Sequence, residues 1–308
     1  MHPFAAELQT CVGRIVLGKE ATVALAIQTM LAGGHLLIED RPGVGKTLLA
    51  RALARALDLP FQRLQCTADL LPADIVGANV YDPRTGAVTF RPGPVFTSVL
   101  VADELNRTPP RTQSALLECM EEGRVTVDRT THRLPDPFFV VATQNPMHAT
   151  GTYPLPENQL DRFLMRVRLG YPDPEIEAEV LQQGSGHLHL EELAPVGDAE
   201  RLRAARAEAE RVSVHGDVAA YIVALAQATR ASGELRLGVS PRGAQALHRA
   251  ARARAWCHGR AFVTPDDVRA LLVPVFAHRI VLKSAAQSGT GAAEAILAEL
   301  AAEVAVPR

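Results

Sequence analysis

The chain has 308 residues and a formal net charge of −2 at pH 7, with 47% hydrophobic and 21% charged residues. A chain of this length fits two domains of ordinary size, and its apolar content is sufficient for buried cores. The near-neutral charge disfavours a broad basic surface for nucleic acid. No apolar run approaches the roughly eighteen residues that a membrane span needs.

The four cysteines, Cys11, Cys66, Cys119 and Cys257, are far apart in sequence and form no C-x-x-C pair. This spacing disfavours a disulfide framework and a zinc site, and it fits a reducing compartment. The N-terminal segment MHPFAAELQT has no basic stretch followed by a long apolar one, so we expect no signal peptide. These features predict a cytoplasmic protein without a membrane span.

Strands and helices are predicted to alternate over the first half of the chain. The apolar run HLLIE (35–39) predicts a strand, a glycine-rich loop follows it, and KTLLARALARAL (46–57) has helical spacing. A second helix is predicted at 109–123, where Thr108 and Gly123 suit its two ends. Four further strands are predicted at FQRLQC (61–66), SVLVADE (98–104), PFFVVATQN (137–145) and FLMRVRL (163–169). The alternation predicts an α/β domain with a parallel sheet, in which strand carboxyl ends share one edge.

Two hairpins are predicted to interrupt this plan. VYDPRTGAVTFRPGPVF (80–96) predicts one hairpin with PRTG as its turn, and GRVTVDRTTHRLPDP (123–137) predicts another. Such insertions carry partner contacts or are merely decorative loops, and the pattern does not decide between the two. From about residue 187 the chain is rich in Ala, Leu, Glu and Arg at helical spacing. We therefore predict a nucleotide-binding α/β core at 1–184 and a helical domain at 185–308.

The loop after the first predicted strand contains most of the phosphate-binding pattern G-x-x-x-x-G-K-[ST], but Asp40 occupies the position of the first glycine. Gly43 and Gly45 allow backbone N–H groups to face phosphate. Lys46 can contact the β- and γ-phosphates, and Thr47 can bind Mg²⁺. Aspartate tolerates a positive φ or caps its own backbone more readily than most residues. With its side chain aimed outward, Asp40 would leave the phosphate cradle intact, so we predict a functional loop.

Further candidate residues follow the later strands. Asp103 and Glu104 end a buried run; in P-loop enzymes the first acid completes the Mg²⁺ ligands and the second orients the attacking water. Asn145, at the end of another strand, can hold that water from the other side. Arg162 and Arg242 are candidates for stabilising charge on the transferred phosphoryl group. Taken singly, such residues are also helix caps, turn residues or surface ion pairs, but the assembled pattern favours ATP hydrolysis with ATP and Mg²⁺.

Seven segments follow one another in order over nearly the whole chain: IVLGKE (15–20), the phosphate-binding loop, ADELNRTPPRTQSALLECMEE (102–122), VVATQNP (140–146), GTYPLPENQLDRFLMRV (151–167), GVSPRG (238–243) and TPDDVRALLVPVFAHRIVL (264–282). Together they closely resemble the MoxR family of AAA+ ATPases. The resemblance implies an AAA+ core with sheet order 5-1-4-3-2 and two hairpin inserts, followed by an all-α lid. It also implies a chaperone-like hexameric ring that acts on protein clients, often with a partner carrying a von Willebrand factor A domain.

The resemblance further implies roles for individual residues. These roles are Walker A for Lys46 and Thr47, Walker B for Asp103 and Glu104, sensor 1 for Asn145, arginine finger for Arg162 and sensor 2 for Arg242. The finger would reach into a neighbouring subunit, whereas sensor 2 would act either in its own subunit or across the interface. The implied nucleotide contacts are Gly18, near the adenine, and the loop residues Pro42, Gly43, Val44, Gly45, Lys46, Thr47 and Leu48.

Two other functions are compatible with the sequence. A nucleotide-gated scaffold would bind ATP with negligible turnover, and Asp40 is the feature that favours it. A nucleic-acid motor would also use such a core, with Arg124, Arg129 and His132 of the second hairpin contacting phosphate. Against the motor, the chain carries no zinc module, added DNA-binding motif or aromatic-rich basic stripe. An ATP-hydrolysing remodeller that helps to mature, assemble or activate protein complexes explains the complete set of water-handling residues best.

Overall fold

The computed structural model describes residues 1–145, 151–183, 190–283 and 291–307. The strands are β1 (Leu36–Glu39), β2 (Phe61–Gln65), β3 (Gly77–Tyr81), β4 (Val88–Pro92), β5 (Val99–Asp103), β6 (Arg124–Val127), β7 (Thr130–Arg133), β8 (Phe139–Gln144), β9 (Met165–Val167), β10 (Leu235–Leu237) and β11 (Val281–Leu282). The helices are α1 (Pro3–Gly13), α2 (Glu20–Leu31), α3 (Lys46–Ala56), α4 (Pro72–Val76), α5 (Pro110–Glu122), α6 (Glu157–Leu160), α7 (Pro174–Gln183), α8 (Ala199–Glu210), α9 (Gly216–Ala231), α10 (Pro241–Cys257), α11 (Pro265–Phe276) and α12 (Ala292–Glu303).

Five parallel strands form the central sheet in the order β2-β5-β8-β1-β9. Counted along the chain over these five strands alone, this is the predicted order 5-1-4-3-2, and the predicted fold class is confirmed. Every residue of β5 is buried, as is all of β8 except its last residue, because helices cover both faces of the sheet. The fifth strand is shorter than its apolar run suggested, ending at Val167.

Both predicted hairpins are present, formed by β3 with β4 and by β6 with β7. They contact each other: the rings of Phe90 and His132 stack with centroids 3.9 Å apart, and Asn79 Nδ2 donates to Asp128 Oδ2 at 2.6 Å. Arg124 forms an ion pair of 2.8 Å with Glu122 at the end of α5. Two of the three residues on which the nucleic-acid alternative depends therefore already have partners within the chain.

The C-terminal half is helical, as predicted, with one addition. β10 and β11 form a short antiparallel ladder, because the apolar residues that follow α11 pair with Leu235 and Leu237. The predicted all-α lid thus contains two short strands. The predicted domain boundary, between residues 184 and 185, falls outside the described residues and stays a prediction.

Two hydrophobic cores lie on the two faces of the sheet. The larger core joins α1, α2 and α3 to the lid helices α8–α12 in one continuous set of buried side chains. The smaller core joins the opposite face to α5. Because the larger core is continuous, the lid is packed directly against the nucleotide-binding core.

Within the described ranges, no helix is long and apolar enough to cross a membrane.

Candidate active site

The phosphate-binding loop connects β1 to α3 at the carboxyl edge of the sheet. Gly43 and Gly45 have φ values of +85° and +92°, which L-residues rarely adopt, and Gly45 is the N-cap of α3. The loop therefore directs backbone N–H groups and the positive end of the helix dipole to one place. Pro42 and Gly43 are exposed at its apex, whereas Val44 and Leu48 pack partly against the larger core. The arrangement can hold the phosphates of a nucleotide.

The ammonium group of Lys46 lies under this loop. Its Nζ donates to the backbone oxygen of Asp40 at 2.6 Å. Partial burial lowers the pKa of Lys46, and three nearby carboxylates act in the opposite direction, those of Asp103, Asp40 and Glu104. A polyanionic ligand would reinforce the charged form of this lysine.

Asp40 is held differently from the prediction. Its side chain is buried, with 9% exposure, rather than aimed outward, and the non-glycine residues with positive φ in the described chain are others. One carboxylate oxygen accepts from the N–H of Arg41 at 2.8 Å. The other accepts from the N–H groups of Leu169 and Gly170 at 2.8 and 2.7 Å. Because these three donors hold the carboxylate, Asp40 connects the loop to the segment after β9.

Asp103 ends β5 directly beside the start of α3. Thr47 Oγ1 donates to its Oδ2 at 3.3 Å, and Thr143 Oγ1 donates to its Oδ1 at 2.8 Å. Arg63, on β2, also contacts Oδ2 through Nε at 3.0 Å and Nη2 at 2.7 Å. The sequence did not indicate Arg63, because this contact follows from the pairing of β2 with β5. The adjacent hydroxyl and carboxylate oxygens are the ligand types that Mg²⁺ prefers.

Glu104 follows Asp103 in a left-handed conformation, with φ +58° and ψ +49°. Non-glycine residues held in this region are concentrated at functional sites. Its N–H donates to Thr143 Oγ1 at 2.8 Å, and its carboxylate accepts from Arg107 at 2.8 Å. Asn145 lies half-buried just past β8, two residues beyond Thr143, which contacts Asp103 at the end of the neighbouring β5. The predicted water-handling residues are therefore at the same sheet edge as the phosphate-binding loop.

Gly18 lies in the turn between α1 and α2, with φ +65°. A Cβ added there would come within 3.2 Å of Ile176 on α7. The next residue, Lys19, donates to the backbone oxygen of Tyr171 at 2.7 Å. Gly18 is thus beside the segment to which Asp40 binds.

Arg162 and Arg242 lie at the opposite edge of the sheet. Arg162 immediately precedes the residues that lead into β9, and Arg242 is in the first turn of α10. Both contact Glu121, near the end of α5. They line a cavity of about 150 Å³ that also includes Gly33, Gly34 and His35, the residues that precede β1. The structure therefore brings these two arginines together, but not with the chain's own phosphate-binding loop.

Arg279 holds the segment that carries Arg162. Its side chain is buried, its Nε contacts Asp161 Oδ1 at 2.7 Å, and its Nη2 donates to the backbone oxygen of Phe163 at 2.6 Å. Burial lowers the pKa of Arg279 to about 10, and Asp161 opposes that effect. Sequence reasoning missed this pair. The one available signal was a charged residue within the apolar run VPVFAHRIVL, since buried charges need partners.

Comparisons with known proteins agree with this fold. Residues 35–165 match the family model described as the ATPase family associated with various cellular activities, and residues 227–300 match the AAA lid domain model. A candidate ATPase from Cytophaga hutchinsonii has a crystal structure that superimposes with a TM-score of 0.90 and 35% identity, covering 99% of this chain and 96% of that one.

Curated relatives extend the match over the full length. YeaC of Bacillus subtilis is 45% identical over 100% of this chain and 96% of its own. Chaperone MoxR1 of Mycobacterium tuberculosis is 37% identical over 96% and 81%, and the MoxR protein of Paracoccus denitrificans is 34% identical over 92% and 90%. The chain belongs to the MoxR family of AAA+ ATPases.

Proposed function

We propose that this chain is a Mg²⁺-dependent ATPase that works as a ring, with six subunits as the expected number. It would use ATP hydrolysis to remodel protein clients during the maturation, assembly or activation of complexes. The observation that carries the proposal is the division of the functional groups between two sheet edges. One edge holds the nucleotide-binding loop and acids, whereas the other presents two arginines, so that each chain has two complementary half-sites.

The nucleotide would be held mainly at the carboxyl edge. The backbone of Pro42, Gly43, Val44 and Gly45 would cradle the phosphates, and Lys46 would contact the β- and γ-phosphates. Gly18 would lie near the adenine, and Leu48 would support the loop from the core. Asp40 does not oppose this assignment, because its carboxylate is engaged by three backbone N–H donors of Arg41, Leu169 and Gly170.

Thr47 and Asp103 would hold Mg²⁺, since their oxygens are 3.3 Å apart and fit a hard cation. When bound, the ion would supply positive charge that offsets the negative charge of the phosphates. Glu104 would orient and polarise the attacking water, and Asn145 would hold that water from the neighbouring strand. Arg107 would have to release the Glu104 carboxylate, or share it, for this role.

Arg162 and Arg242 would act on the nucleotide of a neighbouring subunit. Their position at the amino edge supports this, because the sheet separates them from the loop of their own chain. The same reasoning favours action across the interface for Arg242, which the sequence left open. Arginines supplied in this way accelerate related reactions by about 10³–10⁵-fold.

The chaperone-like part of the proposal rests on relatives. One relative carries the name Chaperone MoxR1, and the family resemblance implies protein clients and a partner with a von Willebrand factor A domain. The two hairpins, which pack on each other through Phe90 and His132, are the candidate client-facing elements.

The test is ATP turnover measured across a protein-concentration series, together with ATP binding. We expect specific activity to rise with assembly. Glu104→Gln should lower turnover by about 10²–10⁴-fold while it retains ATP binding, and Arg162→Ala should lower turnover without loss of binding. A constant specific activity in a confirmed monomer would reject the shared site, and binding without turnover in the unaltered chain would favour a nucleotide-gated scaffold.

A further inference from the structure

Glu121, in the last turn of α5, contacts both arginines with a single carboxylate. Its Oε2 is 2.9 Å from Arg162 Nη1, and its Oε1 is 2.8 Å from Arg242 Nη1. Each oxygen therefore serves one guanidinium group. The two arginines come from different domains, yet this carboxylate fixes the spacing between them.

Other contacts restrain the same assembly. Arg162 Nη1 also donates to the backbone oxygen of Leu117, one turn earlier on α5, at 2.7 Å. Ser240, the N-cap of α10, donates to Asp161 Oδ2 at 3.3 Å and so holds the start of the helix that carries Arg242. Contacts with α5 and Asp161 thus hold both arginine-bearing segments in place.

Positive charge predominates around this arrangement. Arg249 and Arg279 line the same cavity as Arg162 and Arg242, and the acidic residues of the lining are Glu121 and Asp161. Burial lowers the pKa of Arg249, and the charge of Arg242 lowers it further. Because Asp161 is engaged by Arg279, Glu121 is the carboxylate that keeps Arg162 and Arg242 close despite their mutual repulsion.

Stability does not explain the bridge. The side chains of Arg162, Arg242 and Glu121 are 28%, 45% and 35% exposed, and ion pairs at such positions contribute only about 0–1 kcal/mol. Ordering an arginine side chain costs up to about 2 kcal/mol in lost rotamer entropy. A bridge that orders two arginines before the ligand arrives removes this cost from the binding step. Groups fixed in advance stabilise developing charge best.

We propose that Glu121 is a positioning residue for ATP hydrolysis, and that it orients Arg162 and Arg242 as a pair toward the phosphates of the neighbouring subunit's nucleotide. This inference rests on the proposed function, because it assigns the arrangement of the second half-site. Glu121 itself would not contact the nucleotide. Its effect is exerted through the two arginines, in a subunit other than the one that binds the ATP.

The first test compares Glu121→Gln and Glu121→Ala with Glu122→Ala, which removes the adjacent glutamate and its ion pair with Arg124. At saturating protein and ATP, we expect kcat to fall about 10–100-fold in both Glu121 variants, since small misplacement of a catalytic group has effects of this size. KM for ATP should stay within about two-fold, because the loop that binds ATP is at the other edge. The Glu122 control should keep kcat within about two-fold. Unchanged kcat in a folded, assembled Glu121→Gln or Glu121→Ala protein would overturn the proposal.

The second test asks whether Glu121 acts through the arginines. In a chain that already carries Arg162→Ala and Arg242→Ala, adding Glu121→Ala should lower kcat no further, because residues of one network are non-additive. A further ten-fold loss there would reject the positioning role.

The third test asks on which subunit Glu121 acts. Glu104→Gln subunits are expected to be nearly inactive alone, and Glu121→Ala subunits to keep the reduced kcat of the first test. When the two are mixed, the intact loop and acids of the Glu121→Ala subunits should meet the intact arginines of the Glu104→Gln subunits, and turnover should rise above the sum for the same amounts of the two proteins kept apart. Absence of any rise would reject action across the interface. The proposed function would instead fail earlier, if the unaltered chain showed no assembly-dependent turnover or if Arg162→Ala were fully active.

Discussion

The two edges of the central sheet hold their functional groups by different means. At the carboxyl edge, the functional groups lie at the start of α3 (Lys46 and Thr47) and at the end of β5 (Asp103 and Glu104). Backbone groups and short side chains contact them. At the amino edge, long arginine side chains from distant segments are fixed by the carboxylates of Glu121 and Asp161. The first edge is therefore specified by local motifs, whereas the second depends on tertiary packing.

The comparison is most sharply tested by Lys46→Ala and Arg242→Ala. Lys46→Ala should abolish detectable ATP binding, because the proposal assigns this lysine to the phosphates of the ATP bound by its own chain. Arg242→Ala should lower turnover by about 10³-fold or more but leave ATP binding by the dilute chain unchanged. ATP binding is measured by calorimetric titration at a protein concentration below that at which the chain assembles. Turnover is measured above that concentration. Arg236→Ala, which removes an exposed arginine paired with Glu157, is the control. Weakened ATP binding by dilute Arg242→Ala would mean that the arginine reaches its own nucleotide.

Asp161→Asn should lower the free energy of unfolding, because it breaks a buried ion pair at the amino edge. The variant leaves the guanidinium of Arg279 buried without its charged partner, and losses of about 3–5 kcal/mol are typical of such changes. Urea unfolding at neutral pH measures the difference. Glu157→Gln, which breaks the exposed pair with Arg236, should cost no more than about 1 kcal/mol. Equal losses of unfolding free energy in the two variants would contradict a stabilising role for the buried Asp161–Arg279 pair.

The amino edge should also be the acid-sensitive one, through His35. Its Nδ1 accepts from the N–H of Val140 and its Nε2 donates to the backbone oxygen of Met120. Burial lowers its pKa to about 4, with Arg206 and Arg249 contributing in the same direction. The folded protein thus resists protonation that the unfolded chain accepts below about pH 6.5. The contribution of the neutral ring is complete above that pH and is lost as the pH falls toward 4, by about 3 kcal/mol.

Urea midpoints between pH 7.5 and 4.5 measure this loss, and His35→Gln should reduce the pH dependence of the unfolding free energy. Some dependence will remain, because burial also lowers the pKa of His278 well below its usual value. An unchanged dependence in His35→Gln would assign the acid sensitivity to other groups.

Asp40→Gly tests the carboxyl edge with the smallest expected effect. It restores the general loop pattern but removes the acceptor for three backbone N–H groups. We expect unfolding stability to fall by about 2 kcal/mol and ATP affinity to change by no more than a few-fold. Thermal unfolding and ATP titration measure the two quantities, with Asp58→Gly as the control for a surface aspartate that already has a positive φ. A large gain in ATP affinity would show that the aspartate impairs the loop.

Much of the carboxyl edge could be predicted from the sequence, because strands that end in acids and a glycine-rich loop are local patterns. The five parallel strands and both hairpins were predicted for the same reason. The orientation of Asp40 was not, since its partners Leu169 and Gly170 are about 130 residues away. Local propensity suggested self-capping, which the Arg41 contact confirms, but long-range partners decided where the side chain lies.

The amino edge was predicted only in part. Arg162 and Arg242 were named from motifs, but their common partner Glu121 was not, and neither was the Asp161–Arg279 pair. Nothing in the periodicity of α5 distinguishes Glu121 from Glu122, because both are charged residues in a mixed helix. Their different roles arise from which elements pack beside the end of that helix.

The bonds from Leu169 and Gly170 to Asp40 also fix the path of the chain as it leaves the central sheet. They anchor the chain just after β9, and Lys19 holds the backbone of Tyr171 to the same body. α7 begins three residues later, at Pro174. The phosphate-binding loop and the backbone from Leu169 to Tyr171 are therefore fixed to one another, so loss of the Asp40 carboxylate should also loosen the segment that leads into α7.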